Sequence, residues 1–215
     1  RFEFVHLAGA WARERHIQRV PLTSGNISVD SKRVSSSHQH SPFMALARPE
    51  TTENAGEVYG YSLVYSGNFI AQADVGAYDL TRLNMGINPF GFNWLLEDGE
   101  EFCTPEVISV YSANGFGEMS RSFHRLYRNR LCRGKWRDIE RPVLINNWEA
   151  TYFDFNEEKI LNIAKKAQSL GVELMVLDDG WFGKRDDDTN SLGDWVADRR
   201  KLPDGIDALA KKVTE

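Results

Sequence analysis

The stretch VLDDGWFGKRDDD, residues 176–188, carries the strongest structural signal in the chain. It overlaps the end of the apolar run VELMVL at 172–177, and it places Asp178, Asp179 and Trp181 directly after that run. An apolar strand that ends abruptly in polar residues is typical of a parallel barrel strand, whose C-terminal end carries binding and catalytic groups. Carboxylates accept hydrogen bonds from sugar hydroxyls, and an indole covers the apolar face of a sugar ring. The stretch therefore predicts a sugar site at a strand end.

A strand–helix–strand–helix pattern surrounds this stretch. PVLINNW at 142–148 predicts a buried strand, and an amphipathic helix follows at 157–170 with Asn156 as its N-cap and Gly171 just after its end. A further helix is predicted in GIDALAKKV at 205–213. A right-handed crossover makes the two strands parallel, so their polar ends converge. The pattern indicates the start of a (β/α)₈ barrel, although a doubly wound sheet has the same local pattern.

The first half of the chain, residues 1–120, has the pattern of an all-β domain. Short runs rich in β-branched and aromatic residues alternate with turn signals, which predicts a sandwich of antiparallel sheets. A hairpin is predicted over residues 92–108, with its turn at Glu97-Asp98-Gly99. Apolar residues at helical spacing over 119–136 predict a joining helix with a solvated basic face, ended by Gly134.

The neighbouring carboxylates of Asp178 and Asp179 are poorly placed to be a catalytic pair. The side chains of adjacent strand residues diverge, whereas the two carboxyl groups of a retaining glycosidase face each other at roughly 5–5.5 Å. We therefore predict that they bind sugar hydroxyls; the alternative is that either one caps the following turn. Trp148, Trp181 and Trp195 all follow strand ends. We expect these indoles to line the same mouth.

Two groups of residues raise the question of a metal. Asp186, Asp187 and Asp188 are consecutive, whereas a calcium loop alternates its ligands, so a solvated or salt-bridged loop is favoured. His38 and His40 share one face if the chain is extended there, but no third ligand is evident, and a structural loop is favoured. No GxGxxG or P-loop motif is present. We predict no metal and no cofactor.

Composition excludes several classes of protein. The 215 residues carry a net charge of −5, with no run of 18 apolar residues, so neither nucleic-acid binding nor a membrane span is expected. Cys103 and Cys132 show no spacing typical of a zinc site. The chain begins at Arg1 within a predicted strand and stops within a predicted helix, so we expect a truncated sequence. Its compartment is predicted as cytoplasmic, with a signal peptide left open.

Long stretches of the chain resemble glycoside hydrolase family 36, the bacterial-type α-galactosidases. The resemblance is carried by RPVLINNWEATYFDF (141–155), VLDDGWFGKRDDDTNSLGDW (176–195) and RKLPDGIDALA (200–210), and also by SSSHQHSPF, FCTPE and FHRLYRNRLCRGKW in the first part. It implies that residues 1–120 are the C-terminal portion of a β-supersandwich, that 121–140 are a helical linker, and that 141–215 begin a (β/α)₈ catalytic barrel.

The resemblance also implies an activity and a set of site residues. Members of the family hydrolyse terminal α-linked galactose, as in melibiose and raffinose-type sugars, with retention and without a cofactor. Asp178 and Asp179 match the family's galactose-hydroxyl ligands, and Trp11, in GAWARERH, resembles an aromatic residue near the substrate. A core position is the other interpretation of Trp11. The catalytic aspartates are implied beyond residue 215, so these residues alone are expected to be inactive.

Other functions are compatible with the same residues. One is a non-catalytic galactose-binding protein built on the β-domain, another is a β-domain used for oligomer assembly, and a third is a related α-galactosyl transferase. The resemblance further implies a small α-galactoside as the partner and a homotetramer for the full-length protein.

Overall fold

The structure, a computed structural model, describes residues 1–214. Its contacts divide the chain into two compact units, of which the first is Arg1–Arg133 and the second begins at Gly134. Within residues 1–214, no helix has the length and apolar character needed to cross a membrane.

The first unit is an antiparallel β-sandwich, as predicted. One sheet has five strands in the order β2-β1-β4-β5-β8, and the other has three in the order β3-β6-β7. Every pairing within these sheets is antiparallel. The strands are β1 (Glu3–Ala10), β2 (Arg13–Pro21), β3 (Gly25–Asp30), β4 (His40–Ala47), β5 (Val58–Val64), β6 (Phe69–Val75), β7 (Thr81–Ile87) and β8 (Glu106–Ser112).

Alternate residues of the strands form the core between the two sheets. Phe4 of β1 and Met44 and Leu46 of β4 pack in one cluster with Phe69 and Ala71 of β6. Side chains of a strand point to opposite faces in turn, so alternate residues of these strands face this cluster. Full burial of one such large side chain contributes about 1.5–3 kcal/mol.

The other face of the five-stranded sheet is covered by a helix, α1 (Gly115–Leu126). Its Met119 and Phe123 pack with Val5 of β1 and Ala47 of β4 in a second buried cluster. Met119 and Phe123 are four residues apart and therefore lie on one side of the helix. The helix is thus an integral part of the first unit, and its basic residues face outwards.

The helix differs from the prediction at its ends. It begins at Gly115 rather than at residue 119, and α-helical pairing stops at Leu126. A π-helical turn follows at Tyr127–Leu131, and the Cys132 N–H closes it by donating to the Tyr127 carbonyl at 2.7 Å. The start was missed because the backbone N–H groups of residues 115–117 donate to carbonyls of the loop at 52–56, which a helical repeat in the sequence does not indicate.

The predicted hairpin over residues 92–108 is wrong. No strand lies between residues 88 and 105, and β8 begins only at Glu106. The predicted turn does form, because the Glu100 N–H donates to the Glu97 carbonyl at 3.0 Å. On either side of it, the rings of Trp94 and Phe102 lie 5.1 Å apart. Aromatic residues that suggested strands contact each other instead of supporting a backbone ladder.

The second unit contains the predicted strand–helix repeat. Strands β9 (Leu144–Asn146) and β10 (Leu174–Val176) are parallel, with Leu144 opposite Leu174. The helices of this unit are α2 (Trp148–Thr151), α3 (Glu157–Ser169) and α4 (Ile206–Thr214). The N-cap of α3 is confirmed, because the Asn156 side chain accepts from the Lys159 N–H at 3.0 Å. Gly171 follows the helix with φ of +80°, a conformation that favours glycine.

The apolar run at 172–177 is shorter and less buried as a strand than predicted. Met175 and Leu177 pack on a cluster that includes Ile160 of α3 and Leu209 of α4. Leu174, which points away from that cluster, has 42% of its surface exposed. The described part of this sheet has two strands, and its helices cover only one face. The run is therefore buried on one side.

Candidate functional site

Polar residues from the two parallel strands meet at one edge of the sheet, as predicted. Asn146 ends β9, and its side-chain amide donates to Oδ2 of Asp178 at 2.5 Å. Asn147 follows, and its Oδ1 accepts from the Asp178 N–H at 2.7 Å. Because β9 and β10 run in the same direction, their C-terminal ends lie side by side. The carboxylates after β10 are thereby held against the asparagines after β9.

Asn147 is fully buried and contributes to this arrangement, but it was not singled out in the sequence. Its side-chain amide donates to Oγ1 of Thr151 at 2.9 Å, while its Oδ1 accepts from Asp178. It therefore connects the end of one strand to the other and to α2. A buried amide with both ends bonded gives a specific geometry, because an unpaired end would be costly. The doubled asparagine after an apolar run was the available signal.

The carboxylate of Asp178 is half-buried and bonded at both oxygens. Oδ2 accepts from Asn146, and Oδ1 accepts from the Asp179 N–H at 2.8 Å. Each oxygen of a carboxylate can accept about two hydrogen bonds, so each retains capacity for another donor. The alternative that this residue caps the following turn is borne out for Oδ1.

The carboxylate of Asp179 is bonded through a single oxygen. Oδ1 accepts from the Gly180 N–H and from Nε of Arg185, each at 2.6 Å. Among residues 1–214, Oδ2 accepts no hydrogen bond. The Arg185 bond is the main reason that the pKa of Asp179 lies below its ordinary value, and partial burial opposes that effect. Asp179 is therefore ionised at neutral pH, with one oxygen bonded to the turn and to Arg185 and the other without a donor among residues 1–214.

Arg185 and Lys201 support this carboxylate and were not singled out in the sequence. The Arg185 side chain is 6% exposed and forms its ion pair with Asp179 inside the loop. Lys201 is also buried, and its Nζ donates to the carbonyls of Phe153, Gly180 and Arg185 at 2.9–3.0 Å. Buried charges need such partners, since an unpaired one is strongly destabilising. No sequence spacing connects Lys201 to these carbonyls.

The indoles predicted to line the mouth differ in their surroundings. Trp148 is half-buried and packs edge-on against Tyr152 and Phe153, with ring centroids 5.3 and 4.9 Å away. Trp181 is half-buried beside Phe182. Trp195 is 64% exposed and lies 4.6 Å from the ring of Phe182. Trp148 and Trp181 follow β9 and β10 as predicted, and their role in a site stays a prediction.

Trp11 belongs to the first unit, where it lies in the turn between β1 and β2. It is 85% exposed, so the interpretation of Trp11 as a core residue is wrong. An exposed indole on a tight turn is available to a ligand. Its assignment to the substrate stays a prediction.

The acidic run is salt-bridged, as favoured from the sequence. Asp186 pairs with Arg200 and Lys201 at 3.0 and 3.1 Å. Asp187 accepts from the Thr189 N–H at 2.8 Å, which closes a turn. Within residues 1–214, no three or more His, Cys, Asp and Glu side chains form a group that could hold a metal ion.

The two histidines near residue 40 are not a pair. His38 is exposed in the bend before β4. His40 begins β4, and its ring lies 5.5 Å from that of His6 on β1. His38 and His40 therefore do not act together, and His40 contacts His6 on the neighbouring strand instead.

The chemistry available at the strand ends is recognition rather than bond cleavage. Asp178 and Asp179 supply anionic acceptors from consecutive residues, and both are tied to the same turn. Two carboxylates fixed in this way accept hydrogen bonds from neighbouring hydroxyl groups, but they do not flank a bond from opposite sides.

Family models match both parts of the chain. The model for the glycosyl hydrolase family 36 N-terminal domain matches residues 1–97, and the model for melibiase matches residues 101–215. The chain is 61% identical over 214 residues to alpha-galactosidase AgaA of Geobacillus stearothermophilus and 50% identical to alpha-galactosidase Mel36A of Lactobacillus acidophilus. In each case the alignment covers 100% of this chain and 29% of the relative.

Solved structures agree with the sequence comparisons. A variant of Geobacillus AgaA crystallised with raffinose matches with a TM-score of 0.93 and 60% identity, covering 99% of this chain and 30% of that one. The alpha-galactosidase of Lactobacillus brevis also matches with a TM-score of 0.93, at 50% identity and with 99% and 29% coverage. The present chain thus spans less than a third of these proteins. It belongs to glycoside hydrolase family 36, and it matches the N-terminal domain and the start of the catalytic domain of that family's alpha-galactosidases.

Proposed function

We propose that the whole protein hydrolyses terminal, non-reducing α-D-galactose residues of small α-galactosides such as melibiose and raffinose-type oligosaccharides. The relatives are named alpha-galactosidases, and variants of one were crystallised with raffinose and with stachyose. The observation that carries the proposal is the ionised Asp179, held by Arg185 through one oxygen while the other remains available. Such an acceptor beside Asp178 suits the adjacent hydroxyls of a hexose.

In this proposal the two aspartates bind the substrate and do not react with it. A retaining mechanism needs a nucleophile on one side of the scissile bond and an acid/base on the other. We place that pair outside residues 1–215 and assign Asp178 and Asp179 to galactose hydroxyls. Trp11 is proposed as a further substrate-binding residue, and Trp148 and Trp181 as residues that line the site. Glycoside hydrolysis by two carboxylates needs no cofactor.

Two further properties are proposed for the full-length protein. One is a homotetramer, which gel filtration with light scattering would test. The other is a cytoplasmic location, which fractionation of the source cells would test.

The test compares full-length Asp178→Ala and Asp179→Ala with the parent for release of galactose from melibiose. Each substitution removes at least one hydrogen bond to a charged group, which contributes about 1.5–3 kcal/mol to binding. We therefore expect kcat/KM to fall roughly 10- to 150-fold for each hydrogen bond lost. Asp207→Ala is the matched control, because Asp207 is an exposed aspartate in the first turn of α4 of the same unit.

Three outcomes would contradict the proposal in different ways. Fully active aspartate variants would mean that the pair has a structural role only. An inactive parent that binds galactose would indicate a binding protein. Galactose transfer to a second sugar in preference to water would indicate a transferase.

A further inference from the structure

Lys201 is a buried cation that uses all of its donors on backbone carbonyls. The residue is 8% exposed. Its ammonium group donates to the carbonyls of Phe153, Gly180 and Arg185 at 2.9, 2.9 and 3.0 Å. An ammonium has three hydrogens, so this set saturates it. A carboxylate oxygen of Asp186, 3.1 Å away, balances the charge.

The three carbonyls belong to the two segments that follow the parallel strands. Phe153 lies in the segment after β9, close behind α2. Gly180 comes directly after Asp179, and Arg185 comes six residues after that aspartate. Lys201 therefore connects the segment after β9 to both ends of the loop that carries the Asp179 carboxylate.

A second connection leads from the same loop to the carboxylate itself. Lys201 donates to the backbone carbonyl of Arg185, and the Arg185 guanidinium donates to Oδ1 of Asp179 at 2.6 Å. The guanidinium also donates to the Asn190 carbonyl at 2.6 Å, which fixes its direction. The position of the Asp179 carboxylate thus depends on Arg185, and that of Arg185 depends on Lys201.

The surroundings of Lys201 make this arrangement sensitive to the loss of its charge. Its ammonium lies 5.1 Å from the centre of the Phe155 ring, and its neighbour Leu202 is fully buried. Without the ammonium, carbonyls in this buried place lose their donor, and unsatisfied buried acceptors are destabilising. We expect the loop to open locally, so that these carbonyls accept hydrogen bonds from water, before the whole unit unfolds.

We propose that Lys201 is a positioning residue for substrate binding: through the Gly180 and Arg185 carbonyls it sets the place of the Asp179 carboxylate. The proposal rests on the function proposed above, in that the carboxylate is taken to bind galactose. Lys201 itself touches no substrate in this assignment. Replacing Lys201 should make the 179–186 loop more mobile and lower the affinity for galactose.

The first test measures the loop directly and does not need activity. Hydrogen exchange by mass spectrometry is followed in full-length parent, Lys201→Met and Lys212→Met. Lys212→Met is the matched control, because it removes a more exposed lysine that pairs with Glu157 and Asp204 in the same unit. We expect exchange at 179–186 to accelerate at least about tenfold in Lys201→Met only. Unchanged exchange there would overturn the proposal.

The second test asks whether Lys201 acts through Asp179. We expect Lys201→Met to raise the Kd for galactose, measured by calorimetry, at least about tenfold, because an acceptor is displaced. In an Asp179→Asn background, Lys201→Met should raise the Kd for galactose less than about twofold. Equal effects in the two backgrounds would assign Lys201 to general stability and overturn the proposal.

The two measurements separate this proposal from the proposed function. A parent that neither binds galactose nor cleaves melibiose would refute the proposed function, while hydrogen exchange would still decide whether Lys201 holds the loop. If Lys201→Met gives no folded protein, Lys201→Gln, which retains two amide hydrogens, is measured by the same criteria.

Discussion

At the scale of single residues, two neighbouring imidazoles, one buried and one half-buried, stand out in the first unit. His6 and His40 lie on neighbouring strands with ring centroids 5.5 Å apart, and His6 is 9% exposed. Nδ1 of each ring has no hydrogen-bond partner within residues 1–214. Burial, and then the nearby His40, lower the pKa of His6 below its ordinary value of 6.5. The folded sandwich therefore favours the neutral ring.

This pKa shift predicts a loss of stability in mild acid. The unfolded chain binds a proton at His6 more readily than the folded chain, so stability is retained above pH 6.5 and falls as the pH drops below it. We expect His6→Phe to reduce the decrease in the free energy of unfolding between pH 7 and pH 5, measured by urea titration. His38→Phe, at an exposed histidine, is the control. The same decrease in His6→Phe as in the parent would contradict the prediction.

At the scale of elements, the contact of α1 with the five-stranded sheet depends on a glycine in β5. A Cβ atom at Gly60 would lie 2.5 Å from the sulfur of Met119 and 2.8 Å from the ring of Phe123. Both distances are shorter than van der Waals contact, so the helix lies as close to the strand as the absent side chain permits. The glycine is required by packing rather than by its backbone angles.

Gly60→Ala should therefore destabilise the first unit. Overpacking of a core typically costs about 1–3 kcal/mol, and we expect the free energy of unfolding to fall by that amount in denaturant titrations. Gly86→Ala is the matched control in strand β7, because a Cβ there meets nothing within 4 Å. Its effect should stay within about 0.5 kcal/mol, as for other surface changes. Equal stability of the two variants would show that α1 shifts freely on the sheet.

At the scale of the whole molecule, the chain matches less than a third of the length of its relatives. It covers 29% of AgaA and of Mel36A. The division into residues 1–120, 121–140 and 141–215 stays a prediction. The structure divides the chain into two compact units between Arg133 and Gly134. The second unit presents two strands of a parallel sheet with one apolar face partly exposed.

We expect residues 1–215, produced alone, to release no galactose from melibiose, because adjacent carboxylates cannot serve as nucleophile and acid/base. The measurement compares this chain with a longer one from the same source, after circular dichroism has shown that both are folded. Hydrolysis by residues 1–215 at a rate near that of the longer chain would place the catalytic pair within this sequence.

Local patterns in the sequence were enough to predict much of the fold. Short runs rich in β-branched and aromatic residues between turn signals indicated the sandwich. The change of period near residue 140 indicated the strand–helix repeat, and Asn156 and Gly171 marked the ends of α3. The aspartates after the apolar run predicted the cluster of polar residues at the strand ends, and its role as a sugar site stays a prediction. These features depend on residues close together in the chain, where geometry follows from spacing.

Only the tertiary structure decided which distant residues meet. The contacts of His6 with His40, of Lys201 with the Phe153 carbonyl, and of α1 with Gly60 join positions far apart in the sequence. Asp178 and Asp179 could therefore be singled out from the sequence, whereas Asn147, Arg185 and Lys201, which hold them, were not. Periodicity reports which side of an element is apolar. It does not report which buried donor reaches which carbonyl, since that depends on how the elements pack.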